Sequence, residues 1–464
     1  MRKLMFVLFL CACSPPAQDE DQPAETLTAT ADGLRDAAGR EVLLHGFNAR
    51  VEGLFDVTFD DGRTALEVIP PFTGEDCAFM AEELGLNLLR LPINWSGLEP
   101  ERDVYDEAYM QAVVDLANDC AAHGVYTLVD LHQDAYSKEI GEDGAPLWAI
   151  IPEPEVLLEG PLTEGELAER RTSSDVLAAF SSFFQNVDGL QDEYAEMAAW
   201  VAEALEPCPG VIGLELMNEP VAFQEDRLAD FHARVAEQVR AASPGMTLFF
   251  EPDALRNLLD TAPTNRLFGY EDSVYSPHIY TDVFTTGWAS EDVEALHASV
   301  ERAAQEARAH QAAALVGEFG HDPRTATGQL YIETALDAFD AHRMSWAIWL
   351  YEEWSQGSWG LYDAEGESRG AVRDWLADAV ARPYPQAVAG TLVGYAWDDV
   401  ERLLRVNLSE TTAQSVHRVS ASSRIWAEVV AACDGQPVEL SDHGAGWVEV
   451  PCDGSELTLG TSTP

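Results

Sequence analysis

Val211-Ile212-Gly213-Leu214-Glu215-Leu216-Met217-Asn218-Glu219-Pro220 is the stretch on which the fold turns. It opens as an apolar run, of the kind a strand covered on both faces requires, and stops abruptly in polar residues. Seven other runs have the same form: Val42 to Arg50, Asn87 to Trp95, Tyr126 to Asp134, Thr247 to Asp253, Val274 to Tyr280, Ala313 to Gly320 and Ser345 to Glu352. Between most of them lie helical patterns with Ala and Leu at i, i+3 and i+4, such as Asp106 to His123 and Glu291 to Ala309. Strands alternating with helices predict an α/β fold with a parallel sheet and right-handed crossovers. Eight of them predict closure into a (β/α)8 TIM barrel, whose reactive face lies where the strands end.

The polar residues fall at those ends: Asn48, Arg90, His132, Asp134, Asn218, Glu219, His278, Tyr280, Glu318 and Trp349. Two of them are carboxylates that close apolar runs, Glu219 before Pro220 and Glu318 in Leu315-Val316-Gly317-Glu318-Phe319-Gly320. They stand 99 residues apart, about three barrel units of roughly 31 residues, which separates strand 4 from strand 7. Two such acids are what an oxocarbenium-like transition state needs, one to protonate a leaving oxygen and one to attack or shield the anomeric carbon. Other readings stay open at this level. Glu219 could be a turn acid, Glu215 could compete with it, and Glu318 could be structural. Glu215, four residues back and deeper in its strand, is better placed to satisfy Arg90 inside the barrel.

A net charge of −54 over 464 residues sets the class of partner. It disfavours nucleic acid and anionic lipid surfaces, both of which would repel the chain at long range. The acids are spread along the chain rather than gathered in a tail, as in a solvated surface suited to a saline environment; recruitment of a cationic partner is the alternative. The chain is expected to act as a monomer.

Arg2 and Lys3 precede an apolar run from Leu4 to Leu10, too short to span a bilayer, and then small residues and cysteine. Leu10-Cys11-Ala12-Cys13 resembles the lipobox of bacterial lipoproteins. That resemblance implies cleavage before Cys13, lipidation of Cys13, membrane association through it, and sorting to the outer membrane favoured by Ser14; ordinary secretion is the alternative. Residues 1–13 are thus expected to be a signal segment and 14–30 a flexible tether rich in Pro, Ala, Gln and acids.

Residues 31–382 are assigned to the barrel and 383–464, where short alternating strands appear (Leu403 to Leu408, Ile425 to Val430, Trp447 to Val450), to a small β-sandwich. An exported chain can oxidise its cysteines. Cys77 and Cys120 fall on neighbouring outer helices and could pair, Cys433 and Cys452 flank a strand and turn, and Cys208 is left over. No CxxC pair survives in the mature chain and no HExxH occurs, so no metal and no cofactor is expected. The connection from Asp134 to Val211 spans 77 residues, about 45 more than a barrel unit needs. It must rise over the mouth, and its Trp148, Ile150, Ile151, Leu157 and Leu158 are expected to form an apolar wall there.

Several segments carry a family resemblance. Asp130-Leu131-His132-Gln133-Asp134-Ala135-Tyr136-Ser137, Gly144-Ala145-Pro146-Leu147-Trp148-Ala149, Asn186-Val187-Asp188-Gly189-Leu190-Gln191-Asp192-Glu193-Tyr194, Leu216 to Pro220 and Gly317 to Gly320 resemble endoglycoceramidases within glycoside hydrolase family 5. The likeness runs from about Leu34 to the C-terminus. It implies a retaining hydrolase that releases an intact glycan from ceramide, with Glu219 as acid and then base and Glu318 as nucleophile. It also implies that Arg90 keeps the nucleophile ionised and oriented, that His132, Asn218, His278 and Tyr280 position sugar and carboxylates, and that Trp349 is the sugar platform. Asp134 with His132 would hold the sugar at the far end of the cleft. A glycosphingolipid or another glycoside is the expected substrate, with neutral head groups favoured because the chain is acidic and Arg50-Val51-Glu52-Gly53 lacks a lysine. A family 5 glucanase, a glycosidase for another aglycone, and a surface lipoprotein that binds glycans without cleaving them are the alternatives.

Overall fold

A computed structural model describes residues 26–262, 266, 268–354 and 359–461. The signal segment, Cys13 and the tether as far as residue 25 lie outside the described residues. Eight parallel strands close into a barrel: β1 (His45–Asn48), β2 (Leu88–Asn94), β3 (Tyr126–His132), β4 (Val211–Glu215), β5 (Leu248–Phe250), β6 (Ser273–Tyr275), β7 (Ala313–Val316) and β8 (Ser345–Ile348). Each pairs with its neighbour in chain order, and β8 returns to β1. Beyond β6 and β7 the chain pairs again for two residues, His278 opposite Glu318 and Ile279 opposite Phe319, which prolongs the barrel wall on one side of the mouth.

The apolar runs are buried because both faces of the wall are covered. Leu44, Leu88, Leu128, Ile212, Phe249, Val274 and Leu315 form a plug at the barrel's N-terminal end. The outer face packs against helices such as Glu107–Ala122, which buries Met110, Val113, Val114 and Ala117, and Glu225–Ala242, which buries Leu228, Phe231, Val235 and Val239. Each fully buried Leu, Val, Phe or Met contributes roughly 1.5–3 kcal/mol relative to exposure. Asp106 starts the first of these helices by accepting the amides of Ala108 and Tyr109. At Gly46 only glycine fits, since a Cβ would stand 1.7 Å from the carbonyl oxygen of Leu88.

The sandwich has a seven-stranded and a five-stranded sheet. Its composition differs from the sequence reading at two places. The seven-stranded sheet begins with Thr28–Thr30, Gly33–Arg35 and Glu41–Val42, which join Pro385–Val388 through Val42 and Ala387. The barrel therefore starts after residue 42, and the last residues assigned to the tether are strand. Ile425 to Val430 is not a strand: Ile425 and Trp426 are buried in a turn, and the strand is Val430–Cys433. Cys433 and Cys452 join the two sheets, and Cys77 and Cys120 join two outer helices, leaving buried Cys208 unbridged. Loop lengths of 43 and 19 residues correspond to about 4 and 3 kcal/mol of stabilisation in the chain-entropy model. Among the described residues no helix is long and apolar enough to cross a membrane.

Candidate active site

Arg90, in the middle of β2, is fully buried at the centre of the barrel mouth. Its Nε donates to Glu215 Oε2 at 2.6 Å and its Nη1 to Asn48 Oδ1 and Glu318 Oε1, both at 2.8 Å. Its Nη2 donates to Asn218 Oδ1 at 2.8 Å and lies 3.0 Å from Asp130 Oδ2 and 3.3 Å from Glu251 Oε1. A guanidinium is the one side chain with enough donors in a fixed fork to tie β1, β2, β3, β4, β5 and the extension of β7 together. Register explains the convergence: Asn48 stands opposite Arg90 on β1 and β2, and Asp130 opposite Glu215 on β3 and β4.

Glu318 is held from two directions. Arg90 donates to Oε1, and the Tyr280 hydroxyl donates to Oε2 at 2.9 Å. Glu219 is half-buried and reached by different partners, with Asn257 Nδ2 at 2.5 Å and His278 Nδ1 at 2.9 Å from its Oε1. His278 also lies 3.5 Å from Glu318 Oε2 and 3.3 Å from Glu251 Oε1. Carboxylate oxygens of Glu219 and Glu318 fall within 4.8 Å of each other.

The electrostatics follow from this crowding. Burial alone would lower the pKa of His278, but the carboxylates of Glu251 and Glu318 and its hydrogen bonds to Glu219 and Glu251 raise it well above the ordinary range. Burial raises Glu251 to about 8 against the opposing pull of His278 and Arg90. His132 sits deeper toward β3, its Nδ1 2.5 Å from Asp130 Oδ2, and it too is raised well above the usual value, Asp130 outweighing its burial. Asp134 Oδ2 lies 3.7 Å from His132 Nε2. Burial would raise Asp134, yet Arg171 and His132 bring it down to about 2.

The ten residues expected at the mouth are brought together there, with Trp349 stacked on His132 at 5.7 Å between ring centres and 12° between planes. Beside Tyr280, Phe284 and Trp359 stack at 6.0 Å and 8°. Trp288 is buried against Tyr331. Three of the five side chains expected to form an apolar wall over the mouth turn elsewhere. Ile150 is buried, Trp148 packs edge-on against Trp95 and donates its indole N–H to Glu99 O, and Leu158 packs onto the Phe55–Leu66 cluster. These side chains anchor the insertion rather than facing the cleft. What the insertion delivers is the exposed Arg171, whose Nη1 is 3.1 Å from Asp134 Oδ1 and 4.0 Å from Glu219 Oε2, and whose Nη2 is 3.1 Å from Glu142 Oε2.

Sequence reading missed Asp130, Gln133, Asp143, Arg171, Glu251 and Asn257. Glu251 carried a signal, since it ends the apolar run of β5 as Glu219 and Glu318 end theirs; Arg171 and Asn257, on a loop and a short helix, carried none. Among the described residues, two groups offer ligand atoms within 4.8 Å of one another, Glu219 with His278 and Glu318, and His132 with Asp134 and Asp143. In the first, Arg90 Nη1 lies 2.8 Å from Glu318 Oε1 and His278 Nδ1 2.9 Å from Glu219 Oε1, so both carboxylates already have nitrogen partners. In the second, Arg171 Nη1 lies 3.1 Å from Asp134 Oδ1 and His132 Nδ1 2.5 Å from Asp130 Oδ2.

The sequence profile of Cellulase (glycosyl hydrolase family 5) matches residues 36–355. An endoglycoceramidase of Cyanea nozakii is 24% identical over 459 residues, spanning 86% of this chain and 84% of that one. Endo-glycoceramidase II from Rhodococcus sp., solved as a lactosyl-enzyme intermediate, superposes with a TM-score of 0.76 at 23% identity over 93% of this chain and all of that one. An endogalactoceramidase structure superposes at 0.77 and 24% identity over 94% of this chain and 100% of its own.

Proposed function

This chain belongs to glycosyl hydrolase family 5, and on that premise we propose that it is a retaining β-glycosidase that cleaves the bond between glycan and ceramide in glycosphingolipids. The observation that carries the stereochemistry is the separation of Glu219 and Glu318. Oxygens within 4.8 Å fit the close pair of a double displacement, whereas an inverting pair stands about 6.5–9.5 Å apart to admit a water.

Glu318, oriented by Arg90 and Tyr280, attacks the anomeric carbon to form the glycosyl-enzyme. Glu219 delivers its proton to the departing oxygen and then takes a proton from the incoming water. No resident group beyond side chains is required for either step.

Polarity divides the cleft in a way that supports a lipid aglycone. The leaving group departs on the side of Glu219, and there Phe223, Leu255, Leu258 and Leu259 are each about half exposed or more. Phe223, Leu255 and Leu259 rim a cavity of about 240 Å³ lined further by Leu228, Phe250 and Phe268, with Glu225, Asp253 and Arg256 also on its wall. Asn257, on the same short helix as Leu258 and Leu259, is the residue bonded to Glu219 Oε1. On the opposite side stand Asp134, His132 and Trp349, suited to hydroxyls and a sugar face. Neutral head groups remain the favoured choice for a chain of this charge, since Arg171 is already committed to Asp134 and Glu142.

Hydrolysis of a panel of glucosyl-, lactosyl- and sialyllactosyl-ceramides, set against cello-oligosaccharides and mannans, tests the assignment. Intact glycan released fastest from neutral glycosyl-ceramides is expected. Faster turnover of the polysaccharide fragments would overturn the lipid substrate.

A further inference from the structure

Glu219 has a backbone that its side chain does not explain. Its φ is +40°, in the left-handed region that non-glycine residues occupy rarely and only when their surroundings impose it. The surroundings here are two buried side chains, one on each side of the residue. Glu251, just past β5 and 2% exposed, accepts the Glu219 N–H on Oε2 at 3.1 Å. Its other oxygen, Oε1, lies 3.3 Å from both Arg90 Nη2 and His278 Nε2, so the acceptor is itself immobile. Gln133, just past β3, donates Nε2 to the carbonyl oxygens of Asn218 at 2.8 Å and Glu219 at 3.0 Å. Gln133 is fixed in turn by the Tyr136 N–H on its Oε1 at 2.9 Å, and its backbone carbonyl receives Asn218 Nδ2 at 3.1 Å.

We propose that Glu251 and Gln133 are positioning residues that clamp the two peptide groups flanking Glu219 in the left-handed conformation and thereby set the aim of its carboxyl. A residue in ordinary extended or helical backbone at this position would project its side chain along a different line from the strand end. The contacts of Asn257 and His278 with Oε1 then act on a carboxyl already pointed at the leaving oxygen. Glu251 also reaches Glu318 through Arg90 and His278. Among the described residues the Gln133 side chain hydrogen-bonds only with the Asn218 and Glu219 carbonyls and the Tyr136 amide, so loss of the Gln133 side chain acts on proton transfer and spares nucleophilic attack.

That separation gives the test. The inference rests on the reading of Glu219 as acid and base, so Glu219→Ala is run as the reference beside Glu251→Ala and Gln133→Ala. Octyl β-lactoside has a leaving alcohol that needs a proton, whereas the phenol of 2,4-dinitrophenyl β-lactoside leaves without one. Both clamp variants should lose roughly 30-fold or more in kcat/KM on the octyl lactoside, part of the 10²–10⁴ a positioned proton donor contributes. On the dinitrophenyl lactoside kcat/KM of Gln133→Ala should hold within about threefold while kcat and KM fall together, as the glycosyl-enzyme waits on slowed hydrolysis, whereas Glu251→Ala should lose on both substrates because it also loosens Arg90. Equal losses on both substrates, or no loss on either, in a folded Gln133→Ala overturns the clamp. If Glu219→Ala itself shows no such split, the reading of Glu219 falls and the clamp with it. A split in Glu219→Ala but not in Gln133→Ala removes only the clamp.

Discussion

Arg90 Nη1 stands 2.8 Å from Glu318 Oε1, a contact that distinguishes the two acids of the proposed pair. Glu318 is held by a guanidinium and a phenol, while Glu219 is reached by a histidine and an amide. The same guanidinium meets Glu215, Asp130 and Glu251, so its loss strands buried acids.

Arg90→Met should therefore cost about 3–5 kcal/mol of stability, the range for leaving a buried charge unpaired. Arg90→Lys keeps the charge but not the fork, and should fold with activity reduced by roughly 10²-fold or more. Denaturant melts together with kcat/KM check both, and near-native activity in the lysine variant would show that the network is ornamental to catalysis.

The acid pair separates by product. Glu219→Ala and Glu318→Ala should each lose on the order of 10³-fold or more in turnover of lipid glycosides while remaining folded. Added azide should give a retained glycosyl azide with the first and an inverted one with the second, read by proton NMR of the anomeric centre. The opposite pattern would exchange the two roles.

Stability should fall as pH rises from about 6 to 9. Glu251 binds its proton more tightly folded than unfolded, so the stability it contributes is present below the ordinary carboxylate range and eroded on the way to about 8. His278, raised by Glu251 and Glu318 against its burial, contributes fully below 6.5 and loses that contribution as pH climbs through its folded value. Asp134 works on the other limb, supporting the fold above the usual 3.8 and ceasing to as pH approaches about 2. Calorimetric Tm values should drop by several degrees between pH 6 and 9 in the parent and less in Glu251→Gln; identical slopes would exclude Glu251 as a source.

The apolar lip beside Glu219 should govern lipid substrates alone. Leu259→Asp and Phe223→Asp are expected to lower hydrolysis of lactosyl-ceramide by about tenfold or more, since each buried methylene is worth about 0.8 kcal/mol. Hydrolysis of nitrophenyl lactoside should stay within about twofold, because the exposed positions touch neither acid. Equal effects on both substrates would place the aglycone elsewhere.

The N-terminal expectation has its own measurement. Mass spectrometry of the mature protein from a bacterial host should find a chain starting at diacylated Cys13 that partitions into detergent. An unmodified N-terminus at another residue would return the chain to ordinary secretion.

Much of this protein was legible along the chain, for a definite reason. Parallel strands are covered on both faces, so Val211 to Leu214 and Ala313 to Val316 are continuously apolar, and the residues where such runs stop, Glu219 and Glu318 among them, are those the barrel delivers to its mouth. The acid pair is read from those stops, while Arg90 stands out as a charge inside the apolar run of β2. Three-dimensional packing alone decided the rest. Whether Trp148, Ile150 and Leu158 face the cleft or the protein depends on what packs beside them, and Trp95, Glu99 and Phe55 draw them inward. That Thr28–Thr30 belongs to a sheet completed some 360 residues later depends on pairing between chain ends, which three-residue strands do not announce. Arg171 and Asn257 reach Glu219 from a loop and a single helical turn whose local sequence is ordinary. Glu251 ended its strand as the two acids did, but only closure of the barrel set its carboxylate under the Glu219 amide, because that contact joins two strands through space and neither strand's sequence encodes the other's position.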